Sequence, residues 1–391
     1  MKKFFFFAAA VVSMVACQKE AQLSSNEFTA PVEDGTSVAV QFSTNVKSSV
    51  AVKGQGSVDS WAGQALYVYG FKRADKVDYT TPFINNVKAT APAAGTEGAI
   101  QDLVKNAEGH PFYYEGNNTY DFYGYYVDDA DIKAAVAGET GLYHPLTIDG
   151  SQDVMLAKAD QANDYATALA NDTFTGDVAN WNVYFAYSAY AARRGVHPTL
   201  NFQHQLVQFK FEIESGSDNA VEENLKVVGL ELDANLVADF YVAGNDLGLK
   251  NAAALYVDEK PVPAQLKGIA AEGYAVPNKP AAAAPLSEAC LMVIPNTLQD
   301  GVKDTFNGNL YLTQKGAEKT AVPFTLKFEE VVNTPEGLNS FAAGYSFTVK
   351  IFVYSLERVE VTAVLTPWEN GGNLDIDTDD MPDPINPTPA E

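Results

Sequence analysis

The sequence predicts an all-β protein built as two antiparallel β-sandwich domains with a few short helices. Three observations carry this. Short segments that alternate apolar and polar residues recur along the chain, separated by turn residues. Tyr and Phe number 20 and 22 and often sit in alternating runs, and aromatic side chains favour strands. At 391 residues, the chain exceeds the size of about 250–300 residues at which single cores stop growing. Hydrophobic residues make up 47% of the chain and charged ones 19%, a globular balance.

The chain opens on Met1, Lys2 and Lys3, an apolar run from Phe4 to Val12, and small residues before Cys17. That is the charged, apolar and small-residue layout of an export signal over residues 1–17, too short to remain as a spanning helix. Cys17 directly after Val15 and Ala16 resembles a bacterial lipobox, in which the thiol is acylated and becomes the first mature residue. Residues 18–35 read as a linker. If Cys17 is lipidated, Cys290 has no partner in the chain, and its apolar run from Cys290 to Ile294 makes it a buried small hydrophobe.

The first domain is expected over 36–195. Ser37 to Phe42 alternates as a half-buried strand, and 46–60 is a loop exposing Lys47 and Lys53. Leu66 to Phe71 is a strand, while 80–110 carries Pro82, Pro92, Gly95 and Gly98 and reads as turns. Pro111 to Tyr114 and Tyr120 to Val127 flank a Gly116–Asn118 turn, which predicts an aromatic hairpin. Asp153 to Ala157 is a short strand, and the Ala-rich stretches 129–136 and 160–169 are the expected helices. A boundary is placed at 193–196, with a second domain over 196–370. It opens on one long amphipathic strand, 198–213, and continues with strands at 226–232, 236–242, 289–294, 310–313 and 323–328. The pair 346–354 and 359–365 closes it. Residues 371–391 shift to Asp and Pro and read as an acidic tail in which only Leu374 and Ile376 alternate.

Asp+Glu number 50 against 26 Lys+Arg, a formal net charge of -24, and such a field repels phosphate backbones. Nucleic acid is therefore excluded as a partner. Motifs for nucleophilic hydrolysis, metalloprotease chemistry, phosphate loops and dinucleotide binding are all missing. The four histidines, His110, His144, His197 and His204, lack metal-ligand spacing, and His204 inside a strand reads as structural. Asp375, Asp377 and Asp379 alternate, but Asp380 and Asn386 occupy the positions where an EF-hand loop needs Gly and Glu. No catalytic, cofactor or metal residue is assigned and no cofactor is expected, although distant paired carboxylates for glycoside hydrolysis are not singled out by sequence. Tyr113, Tyr114, Tyr123, Tyr125 and Tyr126 have two readings: strand packing, or a face that stacks sugars.

Several stretches together resemble the fimbrillin-like lipoproteins of Bacteroidales. They are the lipobox, Leu66 to Phe71, Tyr120 to Tyr126, Asp153 to Ala157, Leu200 to Phe211, Phe341 to Val349, and Thr366 to Glu369. The resemblance implies two transthyretin-like sandwich domains and a non-enzymatic structural or adhesive fimbrial subunit at the outer membrane and cell surface. Its implied partners are other fimbrial subunits, in a homo- or hetero-polymer, the membrane through the lipid anchor, and host or bacterial surface ligands. It also implies that a trypsin-like protease removes the first strand so that another subunit supplies a replacement. The matching bonds here are Lys53-Gly54 first and Lys47-Ser48 second. The family's cut usually follows arginine, whereas the first arginine here is Arg73, past the second expected strand. The short alternation at the tail tilts the expectation towards an accessory, anchor or tip subunit. The alternative reading is a monomeric surface carbohydrate-binding lipoprotein that uses its aromatic face.

Overall fold

The computed structural model describes residues 29–32, 35, 37–46, 63–93, 103–128, 130–138, 140–216, 224–251, 263–277, 283–296, 304–314, 318–335, 337–356 and 358–366. In chain order the first elements are β1 (Ser43–Val46), β2 (Ala65–Lys72), β3 (Ile84–Thr90), β4 (Tyr120–Val127), β5 (Asp131–Ile132), β6 (Val136–Ala137), β7 (Gly141–Thr147) and β8 (Val154–Lys158). Helices α1 (Gln161–Ala170) and α2 (Ala189–Ala192) follow, then β9 (Thr199–His204), β10 (Val207–Ser215), β11 (Leu225–Asp233), β12 (Val237–Gly244), β13 (Gly248–Asn251) and β14 (Pro263–Gln265). The rest are β15 (Tyr274–Ala275), β16 (Ala284–Pro285), β17 (Leu291–Val293), β18 (Thr305–Gln314), β19 (Thr320–Lys327), β20 (Ser346–Ser355) and β21 (Arg358–Thr366). The all-β expectation is borne out.

Four sheets form. The first has the order β1-β9-β8-β4-β2-β3, with β1 parallel to β9 and every other pair antiparallel. The second runs β16-β10-β20-β21 with β17 also on β10, the third β14-β11-β18-β19 with β15 on β11, and the fourth β13-β12-β7-β5 with β6 on β7. The second and third sheets close over a cluster of rings. Phe209 of β10 meets Phe306 of β18 at 5.2 Å and Phe341 at 5.3 Å, all edge-on, the geometry the ring quadrupole favours.

The first sheet is buried on both faces. Tyr69, Phe71, Tyr123 and Tyr125 join the large core shared with the other three sheets. Leu66, Val68, Tyr120 and Phe122, at alternate positions of the same strands, enter a second core with β9 and the helices. A pleated strand presents successive side chains to opposite faces, so the near-continuous aromatic runs of β2 and β4 suit a middle layer.

Several expected elements are corrected. Residues 111–114 do not pair with 120–127: β4 lies between β2 and β8, and Tyr113 bridges Ala39 instead. The rings still approach, Tyr114 to Tyr120 at 5.8 Å, because the turn brings them together without a ladder. The expected helix at 129–136 is replaced by β5 and β6, which add to β7 at a sheet edge; so short a segment has little helical stability of its own. The helix at 160–169 is present as α1, capped by the Asp160 side chain. The long strand expected at 198–213 is two strands in different sheets. Leu200, Phe202 and His204 are buried at even positions, Val207, Phe209 and Phe211 at odd ones, so the alternation changes phase where the chain leaves β9. The sheets also cross the division expected between 195 and 196. β9 pairs with β8, and β12 pairs with β7 from Val237↔Thr147 to Gly244↔Gly141.

Candidate functional site

The first strand and the groove holding it form the site. Residues 29–32 and 37–46 run as a belt across the second core. The Ala30 amide donates to Asn117 O at 2.9 Å, Tyr114 N to Val38 O at 3.0 Å, Val40 N to Phe112 O at 2.8 Å and Ser43 N to Pro198 O at 3.1 Å. β1 then pairs parallel with β9, Ser43↔Thr199 to Val46↔Phe202. The expected strand at 37–42 is thus shifted: its ladder partners begin at Ser43, while Val38 to Val40 pair with the 112–114 segment.

Alternation puts Val40, Phe42 and Thr44 inward, and all three are buried. Burying a Val or Phe side chain fully contributes about 1.5–3 kcal/mol each. The Phe42 ring meets Phe122 edge-on at 5.1 Å, and Phe122 contacts Tyr187 at 5.8 Å. The hydroxyl of Thr44 is buried with no hydrogen-bond partner among the described residues, a cost of about 1–3 kcal/mol. The floor is shaped by two glycines of the aromatic runs. A Cβ at Gly124 would lie 2.7 Å from Phe202 Cζ, and one at Gly70 would lie 2.9 Å from Phe122 Cε1. The absence of a side chain at both positions lets these rings approach the sheet backbone closely.

The groove's far wall is held by a buried carboxylate that sequence reasoning missed. Asp164 sits on the inner side of α1 with Ala168, one helical turn apart. Its Oδ2 accepts from the Tyr187 hydroxyl and from the backbone N–H of Thr199 at 2.9 Å. Thr199 Oγ1 in turn accepts from Ser43 Oγ at 2.8 Å. Burial pushes the Asp164 carboxyl above the ordinary carboxylate range, against the Thr199 and Tyr187 hydrogen bonds that favour its charged form. Tyr187 is fully buried with φ +61°, a left-handed conformation costly for a bulky residue, and its carbonyl accepts from Tyr120 N at 3.1 Å. The available signal was an Asp on the apolar side of an otherwise Ala-rich helix.

Cys17, Lys47, Lys53 and the Asp375–Asp379 series lie outside the described residues. Arg73 donates to Asp121 at 2.8 Å with its side chain 10% exposed. Cys290 is buried, accepts from Gln208 Nε2 at 3.3 Å, and has its thiol pushed up to about 11, first by burial. His204 Nδ1 lies 3.0 Å from the Asp153 carboxylate with both side chains fully buried, the structural role expected. His144 accepts from Tyr69 O–H at Nε2 (3.2 Å) and donates from Nδ1 to Lys133 O (2.8 Å), and burial lowers its pKa. His110 is in an exposed turn, and His197 precedes β9. Among the described residues, no group of three or more His, Cys, Asp or Glu side chains could hold a metal. Tyr114, Tyr123, Tyr125 and Tyr126 are all buried in the cores, which leaves only Tyr113, 44% exposed, of the face proposed for sugars.

The groove and the marks around it define a class, an all-β protein with a belted first strand, and the comparisons identify the family. The fimbrillin-like family model matches residues 51–368, and the chain belongs to that family. Among solved structures, a candidate cell adhesion protein from Bacteroides uniformis is 16% identical, with 85% of this chain and 98% of that one covered and a TM-score of 0.46. A fimbrial protein from Bacteroides vulgatus is 12% identical, with 84% and 99% covered and a TM-score of 0.47. The tip fimbrial protein Mfa3 from Porphyromonas gingivalis is 10% identical, with 85% and 100% covered and a TM-score of 0.35. No curated protein matches the chain. Membership places the chain among proteins of cell-surface appendages and points to a structural protein that assembles with other fimbrial subunits.

Proposed function

We propose that the chain is a structural or adhesive fimbrial subunit, exported as a lipoprotein through Cys17 and assembled by protease-triggered strand exchange. The observation that supports this most is the belt. One terminal segment plugs an apolar groove with Val40 and Phe42, and it is tied to its neighbours mainly by backbone hydrogen bonds. A cut after Lys53 or Lys47 detaches that whole segment. The groove then presents unpaired backbone groups on β9 and on 112–114, with apolar pockets between them, which is the situation strand addition resolves. A segment with apolar residues two apart fits those pockets, and Leu374 and Ile376 have the spacing of Val40 and Phe42.

Arg73 is a poor alternative cleavage point, because its backbone N–H bonds Thr119 O at 2.9 Å and its side chain is paired. The decisive experiment is the N-terminal sequence and mass of the protein recovered from its own cell surface. Chains beginning at Gly54 or Ser48 within filaments support the reading. An intact, monomeric chain beginning at an acylated Cys17 overturns the exchange step.

A further inference from the structure

We propose that Asp164 is the positioning residue of the groove. It stands in for a missing neighbouring strand at the start of β9 and thereby sets the register of whichever strand lies on the other side.

β8 pairs with β9 only at its far end, Met155↔His204 and Leu156↔Gln203. After Lys158 the chain turns away into α1, so among the described residues Thr199 and Leu200 have no strand on that side. A sheet would supply a carbonyl oxygen there. Here the acceptor is Asp164 Oδ2, 2.9 Å from Thr199 N. The Tyr187 hydroxyl donates to the same oxygen, and its left-handed backbone aims the ring at α1 while its carbonyl holds Tyr120 of β4. The carboxylate is therefore fixed from the sheet's own floor and is not free to follow a sliding strand. On the opposite side of Thr199, Ser43 is paired in register and bonded hydroxyl to hydroxyl. Parallel pairing has no tight turn to set register, so a fixed first residue is what prevents a slip that would turn Val40 and Phe42 outward. The role of Asp164 towards an incoming strand rests on the strand-exchange reading; its role towards the belt does not.

The test is hydrogen exchange on the full chain, read on peptides covering 38–46 and 199–204, for Asp164→Ala, Asp164→Asn and Tyr187→Phe. Asp164→Ala is expected to speed exchange of both peptides by about ten-fold, the scale of one lost buried hydrogen bond. Asp164→Asn keeps an oxygen acceptor and is expected to restore protection, while β20 stays as protected as in the parent in every variant. Parental protection of 38–46 in the Ala variant, or an Asn variant as loose as Ala, overturns the proposal. Should the Ala variant lose protection in β20 as well, Tyr187→Phe decides, with faster exchange at 199–204 expected and parental exchange overturning it. A separate arm adds a synthetic peptide of residues 372–380 to chain trimmed by trypsin. Absence of peptide binding there, with the exchange results intact, removes strand exchange and leaves Asp164 as the residue that positions the belt.

Discussion

Two buried polar side chains in and beside the belt work against the packing around them, and each makes a measurable prediction. Thr44 buries a hydroxyl that no group among the described residues accepts from or donates to. Thr44→Val removes that polar atom at nearly constant shape and is expected to stabilise the belt by about 1 kcal/mol, seen as slower hydrogen exchange at 43–46. Asp164 has its pKa raised by burial, so the folded carboxyl binds its proton more tightly than the unfolded chain does. Its contribution to stability is fully present below the unfolded value of about 3.9 and is lost as pH rises through the raised folded value. Asp164→Asn does not titrate, so its stability relative to the parent should improve as pH rises through that window. Urea midpoints of both chains across acid to neutral pH check the direction. A constant difference between the two would contradict it. At Gly124 the crowding comes from buried side chains: Gly124→Ala drives a methyl into the Phe202 ring and Leu200 and is expected to cost about 1–3 kcal/mol in chemical denaturation.

Among elements, the belt and β2 respond differently to a protease. β1 ends at Val46, and Lys47 follows it directly. Arg73 follows β2, whose end pairs Lys72↔Tyr120, and its guanidinium is clamped on Asp121. Limited trypsin treatment followed by mass spectrometry should therefore yield chains starting at Ser48 or Gly54 well before any starting at Ala74. Early appearance of the Ala74 product would mean that β2 opens more readily than its ladder suggests.

For the whole molecule, the fourth sheet joins β7 from the first half to β12 from the second, and the first sheet shares its odd-numbered rings with the large core. Tyr125 meets Phe240 edge-on at 5.9 Å across that junction. The halves are thus expected to unfold as one unit. Labelling of Cys290, whose thiol burial pushes up to about 11, should appear at the same denaturant concentration as the loss of tyrosine signal from the first sheet. Labelling at lower denaturant would show that the second half opens independently.

Part of the strand set is legible locally: β11, β20 and β21 from side-chain alternation, and β2 and β4 from their aromatic runs. The family marks are local too, since Phe202, His204 and Leu206, or Gly344 and Phe347, lie within a few residues of one another. The phase change at Leu206–Val207 was legible too, although the single long strand expected at 198–213 passed over it. Which strands pair was decided only in three dimensions. The 111–114 segment has an aromatic partner nearby in sequence, yet it bonds to Val38 and Val40, because β4 satisfies both its edges with β2 and β8. The clasp at Asp164 was likewise hidden. Its partners Tyr187 and Thr199 lie 23 and 35 residues away, and no spacing rule links a helix carboxylate to the first amide of a later strand. Local period sets what a segment can be; the competition of every backbone group for a partner in the folded chain sets where it goes.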